Sequence, residues 1–285
     1  MNKCILITGA QGFLGRYLTT ALLNEDKDLQ VVGIGRSAQL DSSFTHSLRI
    51  KNNQIIPAPL PISIVKALQG RYQYFMMDTN DKLQVEKLLK SQQPTTIIHL
   101  ASGLKGDHCD KFLNSNVSGT LSLLSACRNC LKGVPFIGIS SGGVYGFSSL
   151  SKDLPFKEIQ LCNPADSYQY TKAVEEEIVK VFCENFDIPW MALRVFNILG
   201  PGQDERHVCG RFLSELISIK HDFKDPFLKT SGLTSIRDFV DVRDVAYNII
   251  QLLKVKQYNQ VFNIASNKPV IIKDILDDCL NAVFG

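Results

Sequence analysis

Apolar residues occur along this chain in short continuous runs that alternate with amphipathic stretches. The runs predict buried strands, and the stretches, with apolar residues at helical spacing, predict helices. The predicted strands are Cys4–Ile7, Val31–Ile34, Tyr74–Met77, Thr96–Leu100, Pro135–Ser140 and Trp190–Val195, and the predicted helices are Tyr17–Leu23, Lys82–Leu89, Gly119–Cys130 and Tyr168–Phe186. Strands that are apolar throughout and separated by helices are typical of a parallel sheet covered on both faces. The pattern therefore predicts an α/β fold with a doubly wound parallel sheet.

Two regions depart from this alternation. Residues 37–71 are polar at first and then contain three prolines between Pro57 and Pro61, which exclude a regular helix there. We expect an insertion that can lie over the mouth of a binding site. After Gly200 the alternation weakens, which indicates a smaller lobe. We predict a larger domain from 1–199 with 235–265, and a substrate lobe from 200–234 with 266–285.

Composition excludes several classes of protein. Of the 285 residues, 45% are hydrophobic and 21% are charged, and the formal net charge is only +3, without basic runs that would indicate nucleic-acid binding. No apolar run approaches the ~18 residues of a membrane span. We expect a cytoplasmic protein that binds neither membranes nor nucleic acid. The eight cysteines are then expected to be reduced thiols. The C-x-x-C pair, Cys127 and Cys130, is interpreted as two small apolar residues of a helix. No metal site is expected.

Three glycines follow the first predicted strand. Gly9, Gly12 and Gly15 are spaced G-x-x-G-x-x-G, and the helical pattern begins among them. Glycine allows close approach to the backbone, and the N–H groups and dipole at a helix N-terminus favour an anion. This turn predicts a site for the pyrophosphate of a dinucleotide.

A second group of residues predicts hydride chemistry. Tyr168 and Lys172 are four positions apart in a helical stretch and so share one helix face. An ammonium beside a phenol is expected to lower its pKa and make it a proton donor or acceptor near neutral pH. Ser141, at the end of an earlier predicted strand, is expected to orient the same substrate oxygen. Lys172 can also hold the cofactor ribose.

Ordered motifs along nearly the whole chain resemble the extended short-chain dehydrogenases/reductases, the NAD(P)-dependent nucleotide-sugar epimerases, dehydratases and reductases. The resemblance implies a Rossmann-type fold. The motifs are T-G-x-x-G-F-L-G over Thr8–Gly15, Asp78, His99–Ala101, Asn116–Gly119, Ser140–Ser141 with Val144–Gly146, Tyr168 with Lys172, Arg194–Gln203 and Arg237–Asp244.

The resemblance also implies roles for individual residues. The implied cofactor contacts are Gly9, Gln11, Gly12, Phe13, Leu14, Gly15, Asp78, Leu100, Ala101, Ser102, Tyr168 and Lys172, and the implied substrate contacts are Ser141, Asn197 and Arg237. Asn197 and Arg237 match positions that hold the phosphates of a nucleotide-sugar, although an ion pair of Arg237 with Asp238 or Asp241 is the alternative. The family commonly pairs through two helices, here Asp110–Leu131 and Tyr168–Phe186, so a homodimer built on a four-helix bundle is expected.

The end of the second predicted strand bears on the choice of cofactor. NAD enzymes usually place an acidic residue there on the adenosine ribose, whereas this chain has Gly35 followed by Arg36. An arginine can bind a 2′-phosphate, so NADP(H) is favoured. NAD(H), with Arg36 stacked on the adenine, is the alternative.

Residues beside Ser141 bear on the reaction. Sugar 4,6-dehydratases of this family need a carboxylate there, and the epimerase–reductases that make GDP-fucose use a cysteine, whereas this chain has Gly142, Gly143 and Val144. The remaining activities are C4 keto reduction and C4 epimerisation with retained cofactor. A preference for NADP indicates net reduction. The sequence after Gly200 most resembles the GDP-4-keto-6-deoxy-mannose reductases of deoxysugar biosynthesis.

Two further expectations concern the whole chain. Relatives usually continue some tens of residues beyond Gly285, so we expect either a reduced substrate lobe or a shortened chain. A sensor or scaffold that binds the cofactor without turnover is the alternative from another class of protein, and the intact set of Ser141, Tyr168 and Lys172 argues against it.

Overall fold

Twelve strands and nine helices are found in residues 3–49, 54–68, 70–103, 108–146, 154–221 and 223–285, the part of the chain that the computed structural model describes. The strands are β1 (Cys4–Thr8), β2 (Gln30–Gly35), β3 (Ser43–Arg49), β4 (Ile55–Pro59), β5 (Tyr72–Met76), β6 (Thr96–His99), β7 (Phe136–Ser141), β8 (Trp190–Val195), β9 (Asn197–Leu199), β10 (Ile236–Asp241), β11 (Gln260–Ile264) and β12 (Pro269–Ile271). The helices are α1 (Phe13–Glu25), α2 (Ile62–Ala67), α3 (Lys82–Gln92), α4 (Cys109–Phe112), α5 (Gly119–Cys130), α6 (Ser167–Asn185), α7 (Val208–Lys220), α8 (Val242–Val255) and α9 (Ile272–Phe284). A π-helical stretch, Leu113–Ser118, joins α4 to α5.

Seven parallel strands form the central sheet in the order β11-β8-β7-β6-β1-β2-β5. The six strands predicted from apolar runs all belong to it, which confirms the doubly wound α/β architecture. Separate apolar cores cover its two faces, one around Ile7 and Ile249 and the other around Leu6 and Phe136. The seventh strand, β11, was not predicted because it lies at the edge of the sheet and is only partly buried.

The segment 37–71 contains a two-stranded antiparallel hairpin, β3 with β4, followed by α2. The prolines exclude a helix over 55–61, as predicted, but they do permit a strand, because β4 pairs only with β3 and its other edge needs no N–H donors. Phe44 of β3 is fully buried and lies 5.9 Å from the ring of Phe13. A Cβ on Gly202 would come within 2.3 Å of the Phe44 ring, so the insertion also packs against the start of the predicted substrate lobe.

The late part of the chain builds a smaller sheet and its own core. Strand β10 pairs with β9 in parallel and with β12 in antiparallel orientation. Helices α7 and α9 share a cluster of buried residues that includes Phe212 and Leu276. The division into a dinucleotide-binding domain and a substrate lobe stays a prediction.

The cysteines are all free thiols, and Cys127 of the C-x-x-C pair lies on the buried face of α5, in the apolar core. In the described ranges, the helices lack the combination of length and apolar character that a membrane span requires.

Candidate active site

The glycine turn lies where β1 ends and α1 begins. Gly9 has a φ of +67°, and a Cβ there would approach the backbone nitrogen of Ala101 at 2.9 Å. This contact brings the turn against Leu100 and Ala101 at the end of β6. Gly12 occupies the N-cap position of α1 but has no side chain that could bond to the free N–H groups of the first turn. That turn also carries no acidic residue. Phe13 and Leu14 are the first residues of the helix, so the site has the uncapped N-terminus that a pyrophosphate requires.

Gln11 and Arg16 tie this turn to the insertion. The Gln11 amide nitrogen donates to Ser37 Oγ (2.9 Å) and to the carbonyl of Ala38 (2.8 Å), while its oxygen accepts from the backbone N–H of Leu40 and from the Arg16 guanidinium (3.0 Å). The Gln11 side chain therefore holds the segment 37–40, and any role toward a cofactor would come from its main chain.

Sequence reasoning missed Arg16, which is 1% exposed. Its guanidinium donates to Gln11, to the carbonyl of Leu40 and to that of Ser43, and no ion pair joins it to a described carboxylate. Burial lowers its pKa. The sequence could have indicated this burial, because Arg16 directly follows Gly15 and lies on the apolar face of the amphipathic helix α1.

His99 and Asn116 connect the cofactor side of the site to the helices behind it. The His99 ring lies 2.7 Å from Thr8 Oγ1 and 2.9 Å from Thr120 Oγ1, and burial lowers its pKa to about 3. Asn116 is fully buried and accepts from Ser102 Oγ and the N–H of Gly103, while its own amide donates to Thr171 Oγ1 on α6. The predicted contact Ser102 is thereby linked to the helix that carries Tyr168 and Lys172.

The end of β2 carries the residues on which cofactor choice depends. Arg36 is exposed, and within the described residues no hydrogen bond or ion pair engages it. A Cβ at Gly35 would lie 2.9 Å from the Tyr74 hydroxyl, so an acidic side chain does not fit there without displacing Tyr74. Asp78, beyond the end of β5, is half-buried and accepts from the backbone and side chain of Asn80.

Ser141 and Tyr168 meet at the carboxyl end of β7. The Tyr168 hydroxyl lies near that of Ser141, and the Tyr168 ring packs edge-on against Phe112, with 5.7 Å between the ring centroids. Ser141 Oγ also accepts from the N–H of Gly143 (3.1 Å), which belongs to a 3-10 turn over Gly142–Tyr145. A Cβ on Gly142 would come within 2.7 Å of the Phe196 ring, which excludes a side chain at that position.

Lys172 shares the helix face of Tyr168, as predicted, but its charge is directed elsewhere. The ammonium donates to the carbonyl of Ile139 (2.5 Å) and to Glu175 Oε2 (2.7 Å). The expectation that Lys172 lowers the pKa of Tyr168 is wrong for this structure. Burial, with added repulsion from Glu175 and Asp166, raises the pKa of Tyr168 to about 12.

Glu176 and Arg194 fix α6 to β8. The guanidinium donates through Nε to both carboxylate oxygens (3.1 Å each) and through a terminal nitrogen to Oε1 (2.6 Å). Arg194 also donates to the Tyr145 hydroxyl and to the carbonyl of Glu158. This buried pair therefore holds both α6, which carries Tyr168, and the segment before it.

Asn197 and Arg237 stand on the neighbouring strands β9 and β10. The Asn197 amide donates to the carbonyl of Asp238 (2.8 Å), and Arg237 donates to the carbonyl of Ile236 (2.7 Å). In the same lobe an open cleft of about 420 Å³ is lined by Arg211, Glu215, Lys224, Lys229, Thr230 and Ser231. Asn197 and Arg237 thus lie on the small sheet, whereas the third predicted substrate contact, Ser141, ends β7 of the seven-stranded sheet.

Comparison with known proteins agrees with this geometry. The chain is 25% identical over 290 residues to the dTDP-D-glucose 4,6-dehydratase of Dictyostelium discoideum, covering 97% of this chain but only 61% of that relative's length. UDP-glucose 4-epimerase from Thermus thermophilus, in complex with NAD, superposes with a TM-score of 0.77 at 23% identity, over 98% of this chain and 83% of that one. RMD from Pseudomonas aeruginosa, complexed with NADPH, gives a TM-score of 0.78 at 22% identity, over 99% and 84%.

The family model described as "NAD dependent epimerase/dehydratase family" matches residues 5–265. That range includes the glycine turn, the Ser141–Tyr168 pair and both strands of the predicted substrate contacts. The chain belongs to the NAD-dependent epimerase/dehydratase family, the extended short-chain dehydrogenases/reductases that the sequence motifs indicated.

Proposed function

We propose that this protein uses NADPH to reduce the C4 keto group of a nucleotide-linked 4-keto-6-deoxyhexose. The observation that carries the proposal is the exposed guanidinium of Arg36 directly after Gly35, which suits the additional phosphate of NADPH. Reduction of a ketone requires a hydride and a group that donates a proton to the new alkoxide. Tyr168, beside Ser141, can donate that proton, and NADPH is the cofactor that supplies hydride for net reduction.

The residues of the site have distinct roles in this proposal. Ser141 orients the carbonyl oxygen by a hydrogen bond, and Tyr168, which lies near Ser141, donates the proton. Asn116 bonds to both Ser102 and Thr171, and so fixes the predicted cofactor contact Ser102 relative to α6. A bound NADPH supplies the hydride. Phe112 covers the edge of the Tyr168 ring and helps to exclude water from it.

The residues around the glycine turn fit a dinucleotide with a 2′-phosphate. The uncapped start of α1 suits the pyrophosphate, and the exposed Arg36 offers its guanidinium to the additional phosphate. Position 35 is a glycine, so the carboxylate that commonly selects NAD is absent, and a Cβ there would lie 2.9 Å from the Tyr74 hydroxyl. The Pseudomonas aeruginosa structure holds NADPH, and NAD(H) stays the alternative.

The loop after Ser141 argues against a 4,6-dehydratase. Gly142 has no space for a side chain against Phe196, and Val144 is fully buried. Gly143, between them, is also a glycine, so the loop carries no carboxylate that could remove a proton from the sugar. The C4 epimerase with retained cofactor is the second candidate, since a solved structure with the same fold is a UDP-glucose 4-epimerase.

The substrate lobe is proposed to bind the nucleotide diphosphate. Asn197 and Arg237 carry the amide and guanidinium that suit phosphate oxygens, on strands that pair with each other. A homodimer through α4–α5 and α6 is part of the proposal. Apolar side chains stay exposed on these helices, among them Leu113, Leu121, Tyr170 and Val181.

The test is the loss of NADPH absorbance when the purified protein meets GDP-4-keto-6-deoxy-mannose, with NADH measured alongside. Tyr168→Phe is expected to lower kcat by about 100-fold or more because the proton donor is lost. Tyr170→Phe is the matched control, because Tyr170 is exposed on the same helix and should leave kcat unchanged.

A second variant tests the cofactor assignment. Arg36→Ser is expected to raise KM for NADPH about tenfold or more and to leave KM for NADH unchanged, since only NADPH carries the 2′-phosphate. Failure to reduce this and related keto sugars, combined with conversion of a 4-hydroxy sugar nucleotide, would establish the epimerase. Cofactor binding without turnover of either kind would indicate a binding protein.

A further inference from the structure

The side-chain amide of Gln11, in the glycine turn, is fully occupied by hydrogen bonds, three of them to the segment that follows β2. Gln11 is 2% exposed, and its nitrogen donates to Ser37 Oγ and to the carbonyl of Ala38, 2.9 and 2.8 Å away. Its oxygen accepts from the N–H of Leu40 (2.6 Å) and from the Arg16 guanidinium (3.0 Å). An amide has two N–H donors and two acceptor sites, so these bonds leave none for a ligand.

Arg16, in the first turn of α1, holds the far end of the same segment. Its guanidinium donates to the carbonyls of Leu40 and Ser43 in addition to Gln11. Arg16 is 1% exposed, and its Nε has no hydrogen-bond partner among the described residues. Because a buried cation is costly without acceptors, moving the carbonyls of this segment away from Arg16 would be unfavourable.

Arg36 stands between two residues whose backbone is fixed. The carbonyl of Gly35 accepts from the N–H of Met77 (2.9 Å), and the carbonyl of Ser37 accepts from the Tyr74 hydroxyl (2.8 Å). The Arg36 side chain itself is exposed, and none of the described residues binds it. The backbone around Arg36 is therefore ordered before any ligand arrives, while the guanidinium stays available.

The Ser37 hydroxyl is oriented by Gln11. Its oxygen accepts the Gln11 N–H, so its own O–H is left to donate to another acceptor. Ser37 is half-buried and directly follows Arg36. A guanidinium and a hydroxyl donor on adjacent residues suit a phosphate monoester, which carries three acceptor oxygens.

We propose that Gln11 is a positioning residue for cofactor selection, whose amide fixes Arg36 and the Ser37 hydroxyl for the 2′-phosphate of NADP(H). The inference rests on the proposed function in placing that phosphate at the end of β2. Arg16 supports Gln11 by donating to its amide oxygen. Residues that are already ordered lose less conformational freedom when they bind, so the phosphate contact is stronger. NADH lacks this phosphate, so its affinity should not depend on the Gln11 amide.

The experiment is calorimetric titration of the full-length protein with NADPH and with NADH, in the wild type, in Gln11→Met and in the control Gln30→Met. Methionine is an unbranched side chain that fills the space of glutamine but cannot donate to Ser37 or Ala38. Gln30 is exposed at the start of β2, the opposite end of the strand from Arg36. The two nucleotides differ only in the 2′-phosphate, so the ratio of their Kd values isolates that contact.

Gln11→Met is expected to raise Kd for NADPH about tenfold, the value of roughly one hydrogen bond to a charged group, and to change Kd for NADH by less than about twofold. Gln30→Met should leave both constants unchanged. An unchanged ratio in Gln11→Met overturns the inference. Equal weakening of both nucleotides also overturns it, because Gln11 would then only support the glycine turn.

A second variant decides the question if Gln11→Met does not fold. Ser37→Ala removes the hydroxyl that Gln11 orients, and it should weaken NADPH alone by about fivefold. The same preference for NADPH in Ser37→Ala and in the wild type would overturn the inference.

Failure of the inference and failure of the proposed function give different results. A wild type without preference for NADPH rejects the cofactor assignment and the inference together. A preference that persists in Gln11→Met rejects the inference alone. These titrations contain no sugar, so a lost preference in Gln11→Met supports the inference even where turnover of keto sugars is absent and the proposed reaction is rejected.

Discussion

Replacing Glu176 by glutamine should destabilise the protein severely, because it leaves the Arg194 guanidinium buried without a carboxylate. The two side chains, Arg194 and Glu176, are 6% and 9% exposed, and three short N–H···O contacts of 2.6 to 3.1 Å join them. Glutamine keeps the shape but retains one acceptor oxygen, and its amide N–H groups face the N–H groups of Arg194. Removing one partner of a buried pair typically costs about 3–5 kcal/mol.

That loss is large compared with the whole stability of a typical domain, about 5–15 kcal/mol. Equilibrium unfolding in urea measures it, with Glu177→Gln as the control for the same chemical change at an exposed position of α6. The double variant Glu176→Leu with Arg194→Met should be more stable than Glu176→Gln, because no uncompensated charge remains. A loss below about 1 kcal/mol, the value of a solvent-exposed pair, would refute this reasoning.

Three more predictions concern the scaffold of the site. His99 is neutral when folded, with a pKa lowered from 6.5 to about 3, so the folded state loses stability as pH falls through this interval and the unfolded state takes up the proton. His99→Gln should make the slope of unfolding free energy against pH shallower there, and an unchanged slope would contradict the assignment. In Gly15→Ala the new Cβ would lie 2.4 Å from the carbonyl oxygen of Gly9, so the variant should lose dinucleotide binding or fail to fold. In both cases calorimetric titration with NADPH would show no binding. Phe44→Ala should cost about 3–5 kcal/mol in urea unfolding and increase amide hydrogen exchange in β3, whereas equal exchange would show that other contacts hold the hairpin.

Much of the fold could be read from the sequence because the relevant signals are local. A continuously apolar run of four to six residues is favourable only where both faces of a strand are covered, so Cys4–Ile7 and Trp190–Val195 could be assigned without a structure. The prolines of β4 show the limit of this reasoning. They exclude a helix, but whether they join a strand depends on which edge of that strand is paired.

The candidate site divides in the same way. Spacing along a helix places Tyr168 and Lys172 on one face, and three glycines require a tight turn before α1, whatever the rest of the chain does. The burial of Arg16 depends instead on carbonyl groups of Leu40 and Ser43, more than twenty positions away. The sequence contained its charge but not the contacts that accommodate it.

The sequence by itself determined the parallel α/β fold and the glycine turn, and it predicted the residues of the hydride site, because these signals are carried by individual strands, helices and turns. Only the tertiary structure decided the charge around Tyr168. The electrostatic field at a half-buried phenol depends on how far water is excluded and on which neighbour binds the ammonium. In this protein the Lys172 ammonium binds Glu175 and the carbonyl of Ile139.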